Sequence, residues 1–198
     1  MAADSPNAWK PMTLALTVGV AVLAGCSSLL PETVRPWNFA AIGAVGLFAA
    51  ARLRPLQALL VLALAIAVKD LCMIVKWDFP PDPLTWLAYL GYAAIGYGLL
   101  RHTESPLRVG AGAVAGSLAF FLVSNFGSWI MQAQPYAYSL AGLVDCYEAG
   151  IPFHRSTLFS DVLCSVSLFV AHMALSRAWF PAERPTLAPI PIQAEETW

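Results

Sequence analysis

The chain has 198 residues, of which 59% are hydrophobic and only 12% are charged, and its mean hydropathy is +0.65. This composition leaves too little polar surface to coat a water-soluble globule of this size, so we expect the chain to lie in a lipid bilayer. Its net charge of -1 and its scattered Lys and Arg residues exclude a nucleic-acid binder, because phosphates require a basic face.

The first apolar run ends in "LAGCSS" and leaves two interpretations of Cys26 open. Lys10, an apolar stretch and small residues before Cys26 are typical of a bacterial lipoprotein signal, in which the cysteine receives the lipid. Against this interpretation, the positive region is a single Lys and the apolar run continues through Leu30. We therefore favour an unprocessed helix with Cys26 near its outer end, and free buried thiols rather than a disulfide for the four cysteines.

Uncharged runs near the length of about 20 residues that a membrane helix needs occur six times. The second run is short, and it reaches spanning length only if Trp37 and Asn38 begin it and Leu53 ends it. Asp82-Pro83 and Ser105-Pro106 each place a capping residue before a proline and therefore predict helix starts. The predicted fold is all-α with six transmembrane helices, over residues 12–30, 39–51, 56–68 with a continuation to 75, 84–100, 109–131 and 158–178.

The longest loop, between the fifth and sixth spans, contains "SLAGLVDCYEAGIPFHRSTLFSD". Ser139 can cap a helix whose apolar face includes Leu140 and Tyr147, and Gly150 with Pro152 is predicted to end it. We expect a short amphipathic helix in this outer loop. Residues 1–180 are predicted to form a single transmembrane domain, and the Pro-rich residues 181–198 a flexible cytoplasmic tail.

The distribution of Lys and Arg predicts the orientation. With cytoplasmic termini, seven basic residues lie inside and four outside, and the outer side also collects seven of the twelve acidic residues. Both termini are therefore expected in the cytoplasm, and the outer loops carry the more varied chemistry.

Three polar residues fall within or near predicted spans, where an ionised group costs on the order of 3 kcal/mol unless it is paired. Asp161 lies one turn into the sixth span, Asp70 adjoins Lys69 and Asn125 lies in the fifth span. His154 and Arg155 precede the sixth span and could pair with Asp161 or with an anion. An ion-pair network that only joins helix ends is the alternative.

Most aromatic residues map to the outer side, more than an interfacial belt on both surfaces explains. We therefore predict an outward-facing pocket in which rings stack on a small polar or aromatic ligand. Its predicted lining consists of Trp37, Asn38, Asp70, Asn125, Trp129, Tyr147, Glu148, Arg155 and Asp161. Two pairs of small residues spaced four apart, Ala15 with Gly19 and Gly112 with Gly116, are candidate faces for a partner protein.

At "RPWNFAAIGAVGLFAAA", "SLAFFLVSNFGSWI" and "SLAGLVDCYEAGIPFHRSTLFSDVL" the chain resembles an uncharacterised family of small bacterial inner-membrane proteins, a domain of unknown function. The resemblance covers residues 30–169 and extends weakly over the first helix. It implies a six-helix protein of the bacterial inner membrane with a retained first helix.

More loosely, that family is similar to the substrate-binding S components of energy-coupling-factor vitamin transporters. This resemblance implies an outward-opening ligand pocket covered by loops. It also implies that Ala15 and Gly19 on the first helix meet a coupling subunit, itself joined to ATPase subunits. It rests on helix number, size and layout, and no vitamin-specific motif is visible.

The sequence therefore predicts a membrane-embedded binding or transport subunit that captures a small molecule from the outer side. A structural subunit that packs in a larger membrane complex is one alternative. A membrane enzyme acting on lipid is another, with His154, Asp161, Asp145 and Glu148 as acid and base groups, but no catalytic or metal-binding motif supports it. No catalytic residue, metal or cofactor is predicted.

Overall fold

The computed structural model describes residues 9–31, 33–34, 39–131, 135–185 and 187, and in this part of the chain it contains α-helices and no strand. The helices confirm the all-α class. They are α1 (Pro11–Cys26), α2 (Ile42–Arg52), α3 (Pro55–Trp77), α4 (Pro83–Leu99), α5 (Pro106–Ile130) and α6 (Leu140–Ala178), with short 3-10 turns at Ser27–Leu29 and Pro181–Glu183.

Four of these helical segments are long and apolar enough to cross a membrane: Pro11–Leu29, Pro55–Trp77, Pro106–Ile130 and Leu140–Ala178. This finding agrees with a membrane protein, but it covers four of the six predicted spans. The second predicted span corresponds to α2, which has only 11 residues. At 1.5 Å per residue such a helix is about 16 Å long, roughly half of the hydrocarbon thickness.

Helix α2 is the centre of the bundle. All of its residues are buried, and it contacts each of the other five α-helices. The small residues of α2 allow this close packing. Gly96 of α4 also allows α4 to approach α2, because a Cβ there would overlap the backbone carbonyl of Leu47. The interior therefore forms around a short helix that neighbouring helices shield from lipid.

The predicted helix starts are confirmed. The Asp82 side chain accepts a hydrogen bond from the backbone N–H of Leu84 at 2.9 Å. Ser105 accepts one from Arg108 at 3.5 Å, and Ser139 one from Gly142 at 3.1 Å. Each side chain satisfies a backbone donor that the first helical turn leaves unpaired.

The prediction of a separate short helix before the sixth span is wrong. Helix α6 runs without a break from Leu140 to Ala178 and contains Pro152 in its interior. Contacts with α5 hold its first part: the Tyr147 hydroxyl donates to the carbonyl of Leu122 at 2.8 Å, and the Cys146 thiol to that of Asn125 at 3.4 Å. Packing along α5 thus outweighs the local cost of the proline, which membrane helices tolerate.

Buried charge gathers at the end of the bundle where α2 finishes, here called the basal end. Arg52 is only 4% exposed, and it donates to the carbonyls of Leu100 at 2.9 Å and Thr103 at 2.6 Å. Its guanidinium carbon lies 4.7 Å from the centre of the Phe169 ring. Arg52 therefore ties the end of α2 to the α4–α5 connection and to α6.

The start of the segment predicted to be a flexible tail is packed on the bundle. Glu183 is buried, and its carboxylate accepts hydrogen bonds from the backbone N–H groups of Met12 at 3.0 Å and Thr13 at 2.8 Å. These groups are unpaired donors of the first turn of α1, where a negative charge is favourable. The two ends of the described chain therefore meet at the basal end.

Candidate functional site

A cavity of about 170 Å³ lies between α5 and α6 and is here called the α5–α6 cavity. It has room for a few water molecules or a small solute, and it is smaller than the roughly 300 Å³ or more of pockets for drug-sized ligands. Aromatic and polar side chains both contribute to the wall. The lining residues are Phe120, Phe121, Ser124, Asn125, Gly150, Phe153, His154 and Thr157.

His154 is the most informative residue of this wall. Its ring lies over that of Phe121, with the ring centres 4.5 Å apart and the planes at 32°. The Nε2 atom is buried and has no hydrogen-bond partner in the protein. A buried polar atom without a partner costs free energy, and the cavity beside Nε2 has room for a polar group from outside the protein that could satisfy it.

Asn125 faces His154 across the same cavity and is held in place from two sides. Its side-chain nitrogen donates to the carbonyl of Phe121 at 2.8 Å. On the other side Gly150 leaves room for its amide, since a Cβ on residue 150 would overlap the Asn125 oxygen. The amide is thus fixed at the cavity wall, which is a favourable arrangement for recognising a polar solute.

Asp161 lies one helical turn beyond Thr157, in the interior of the bundle, and is 1% exposed. The hydroxyl of Tyr92 on α4 donates a hydrogen bond to its carboxylate. Gly43 of α2 packs against the pair, since a Cβ there would overlap both the carboxylate and the Tyr92 ring. Ser117 of α5 completes what we call the Asp161 centre, facing both the carboxylate and the Tyr92 hydroxyl.

The suggested pairing of Asp161 with His154 or Arg155 does not occur. His154 stacks on Phe121, and Arg155 is exposed. In the part of the chain that the structure describes, the salt bridges join Lys69 to Asp70 and Glu104 to Arg177 and Arg184, so Asp161 has no basic partner.

Asp70 belongs to a different region. It forms a salt bridge with Lys69 at 2.7 Å and accepts a hydrogen bond from the indole of Trp86 at 2.7 Å. Trp86 borders a second depression, between α3 and α4, whose other lining residues are all aliphatic. That depression offers no free polar group, so it is suited to a lipid chain rather than to a polar solute.

The remaining residues of the predicted lining do not converge on one pocket. Trp129 donates to the carbonyl of Ala137 at 2.9 Å, and Tyr147 contacts Phe121 beside the α5–α6 cavity. Glu148 is exposed, as is Arg155. Trp37 and Asn38 lie outside the described residues.

The two pairs of small residues have different surroundings. Ala15 and Gly19 are exposed, with open space at Gly19. Gly112 and Gly116 are buried and pack inside the chain against Leu100 and Tyr92 of the α4 region. Their predicted role in binding a partner remains a prediction.

The sequence interpretation omitted Tyr92, Ser117 and Gly43 from the site and did not include His154 in the predicted lining. A tyrosine in the middle of an apolar span was an available signal, because its hydroxyl needs a partner in lipid. Nothing in the sequence marks Ser117 or Gly43, since small residues are common wherever membrane helices pack.

A comparison with known protein families matches residues 7–185 to the family described as "Family of unknown function (DUF6580)". No curated protein and no solved structure matches the chain. The similarity to energy-coupling-factor S components therefore remains a prediction. The match to the family covers all six α-helices and both the α5–α6 cavity and the Asp161 centre. The chain accordingly belongs to the DUF6580 family, a family of unknown function.

Proposed function

We propose that this protein is a membrane-embedded binding or transport subunit that captures a small polar solute in the α5–α6 cavity. The observation that carries this proposal is the buried, unpartnered Nε2 atom of His154 at the wall of that cavity. Three phenylalanines provide apolar contacts, and Asn125 and Ser124 add polar groups that can orient the solute. The volume of about 170 Å³ favours a solute of only a few heavy atoms.

The alternative of a lipid-modifying enzyme has less support. Of the carboxylates that would accompany His154, Asp145 and Glu148 are exposed. The third, Asp161, is buried and accepts a hydrogen bond from Tyr92. None of the three lines the cavity beside the His154 imidazole. A general acid or base must lie within hydrogen-bonding distance of the reacting group, which favours binding over catalysis here.

Native mass spectrometry of the detergent-purified protein tests the proposal. We expect the wild type to carry a small-molecule adduct that is lost in His154→Ala and in Asn125→Leu. His102→Ala is the matched control, because His102 is exposed and does not line the cavity. The same adduct on all variants, or none on the wild type, would contradict the proposal.

We further propose that the protein lies in the bacterial inner membrane with both termini in the cytoplasm and the cavity accessible from the outer side. The excess of Lys and Arg on the terminal side supports this orientation. We expect a C-terminal green fluorescent protein fusion to be fluorescent and a C-terminal alkaline phosphatase fusion to be inactive. An active phosphatase would reverse the orientation.

A structural subunit of a larger membrane complex is the second candidate. The exposure of Ala15 and Gly19 on α1 favours it, because small residues on a lipid-facing surface let another helix approach closely. Coupling and ATPase subunits are among the partners that such a surface could meet. Wild-type protein without any adduct, but purified together with another membrane protein, would support this candidate over solute binding.

A further inference from the structure

We propose that Asp161 is a reversible proton-binding site inside the bundle, whose carboxylate takes up a proton from water and whose carboxylic acid returns it there. Tyr92 donates a hydrogen bond to this carboxylate, and the buried hydroxyl of Ser117 is available for a second. The site itself is independent of solute binding, whereas its coupling to the α5–α6 cavity rests on the proposed function.

The first argument is the isolation of the carboxyl group. Asp161 is 1% exposed on a helix that is apolar and long enough to cross a membrane. A lone charge at such a position is costly, and the uptake of a proton would remove this cost. No Lys, Arg or His of the described residues forms a salt bridge with it.

The titratable side chains beside Asp161 are weaker acids than its carboxyl group. Its titratable neighbours include Tyr92 of α4, whose hydroxyl binds it, and Tyr89, whose ring centre is 6.0 Å from that of Tyr92. Cys164 follows three residues later on α6. The charged residues of α2 and α5 are distant from Asp161. Arg52 lies nine positions after Gly43 on α2, and Arg108 lies nine positions before Ser117 on α5, about 14 Å along each helix.

The second argument is an unused hydroxyl at the site. The Ser117 side chain is fully buried and faces the carboxylate, yet its Oγ makes no hydrogen bond of good geometry. A hydroxyl can donate to an ionised carboxylate and, after rotation, accept from a carboxylic acid. Ser117 can therefore satisfy both protonation states without movement of the backbone.

The close packing favours a proton over a metal ion. Tyr92 covers one carboxylate oxygen, and Gly43 lies so close to the other that a Cβ there would overlap it. A metal ion would need space for several oxygen ligands around it. A proton bound to the carboxylate needs no such space.

The site is connected to the α5–α6 cavity by direct contacts. Phe120 lines the cavity, and its ring centre is 6.0 Å from that of Tyr92, whose hydroxyl binds Asp161. Thr157 lines the cavity one turn before Asp161 on α6. A solute that displaces Phe120 would therefore alter the hydrogen bond that Tyr92 gives to the carboxylate.

Infrared difference spectroscopy of the full chain in lipid nanodiscs, titrated over the pH range in which it stays folded, tests the proposal. We expect a carboxylic-acid C=O band that appears on acidification, is absent from Asp161→Asn and remains in Asp145→Asn, whose carboxylate is exposed. In Tyr92→Phe the band should change frequency. Its midpoint should move to higher pH by on the order of one unit, because the ionised form loses a donor.

Three results would overturn the proposal. They are a wild type without a titrating carboxylic-acid band, a band that persists in Asp161→Asn, and a midpoint that shifts when Na⁺ replaces K⁺ at constant ionic strength, which would indicate a metal-ion site. If Asp161→Asn does not fold, Tyr92→Phe decides, and an unchanged band and midpoint overturn the assignment. The spectra of His154→Ala separate the two proposals, because loss of solute binding with the band retained refutes only the solute site.

Discussion

At the level of single residues, the interior of this bundle depends on the absence of a side chain at Gly43. The α-carbon of this residue packs against the Asp161 carboxylate and the ring of Tyr92. A polar pair inside an apolar bundle must keep its geometry, because each member would otherwise be buried without its partner. Because Gly43 has no side chain, Tyr92 of α4 and Asp161 of α6 have the space to form their hydrogen bond.

Gly43→Ala should lower the stability of the protein by about 1–3 kcal/mol, because the added methyl group forces the Asp161–Tyr92 pair apart. Gly98→Ala is the matched control, since a Cβ there meets nothing within 4 Å and alanine favours the helix. Thermal unfolding of both variants in the same detergent measures the difference. Equal melting temperatures for the two variants would show that Gly43 is not tightly packed.

The sequence identified Asp161 as a residue that needs a partner, but it indicated the wrong one. His154 and Arg155 lie nearby in the chain, whereas Tyr92 reaches Asp161 from a different helix. Which side chains meet across helices depends on the rotation of each helix about its axis. A single sequence does not determine that rotation.

At the level of helices, local signals located starts better than ends. Capping residues followed by proline gave the starts of α4 and α5, because a cap and its helix are formed by neighbouring residues. Gly150 and Pro152 predicted a helix end that does not occur. Helix α6 continues through them because it is held by contacts with α5, whose residues are distant in the chain. Intrinsic preference is a weak guide where tertiary packing is extensive.

Pro152→Ala should therefore leave the helix content unchanged and raise the melting temperature. Proline has no N–H, so the carbonyl of Glu148 lacks its donor in the helix, and alanine restores a hydrogen bond with a gain of up to about 3 kcal/mol. Pro83→Ala is the control, since Pro83 is at the first position of α4, where proline is favourable. Circular dichroism and thermal unfolding give both quantities. A fall in helix content in Pro152→Ala would mean that the proline has a positive structural role.

At the level of the whole molecule, composition gave the membrane class, and the run lengths located six helices. Four of them have the length and apolarity of membrane spans. The short second run predicts a span because its residues are apolar, but an apolar helix can be buried by protein as well as by lipid. Helix α2 is buried by protein, since its eleven residues all lie inside the bundle. The cavity and the Asp161 centre depend on this arrangement and could not be derived from run lengths.

The contact between the two ends of the chain yields the last prediction. Glu183→Gln keeps the size of the side chain but removes the charge that the first turn of α1 binds, so stability should fall by about 0.5–2 kcal/mol. Glu148→Gln removes an exposed carboxylate elsewhere and should change stability by less than about 0.5 kcal/mol. Thermal unfolding of the two variants compares them directly. If Glu183→Gln is as stable as Glu148→Gln, residues 181–185 do not fasten the bundle, and the boundary of the transmembrane domain lies near residue 180, as its composition predicts.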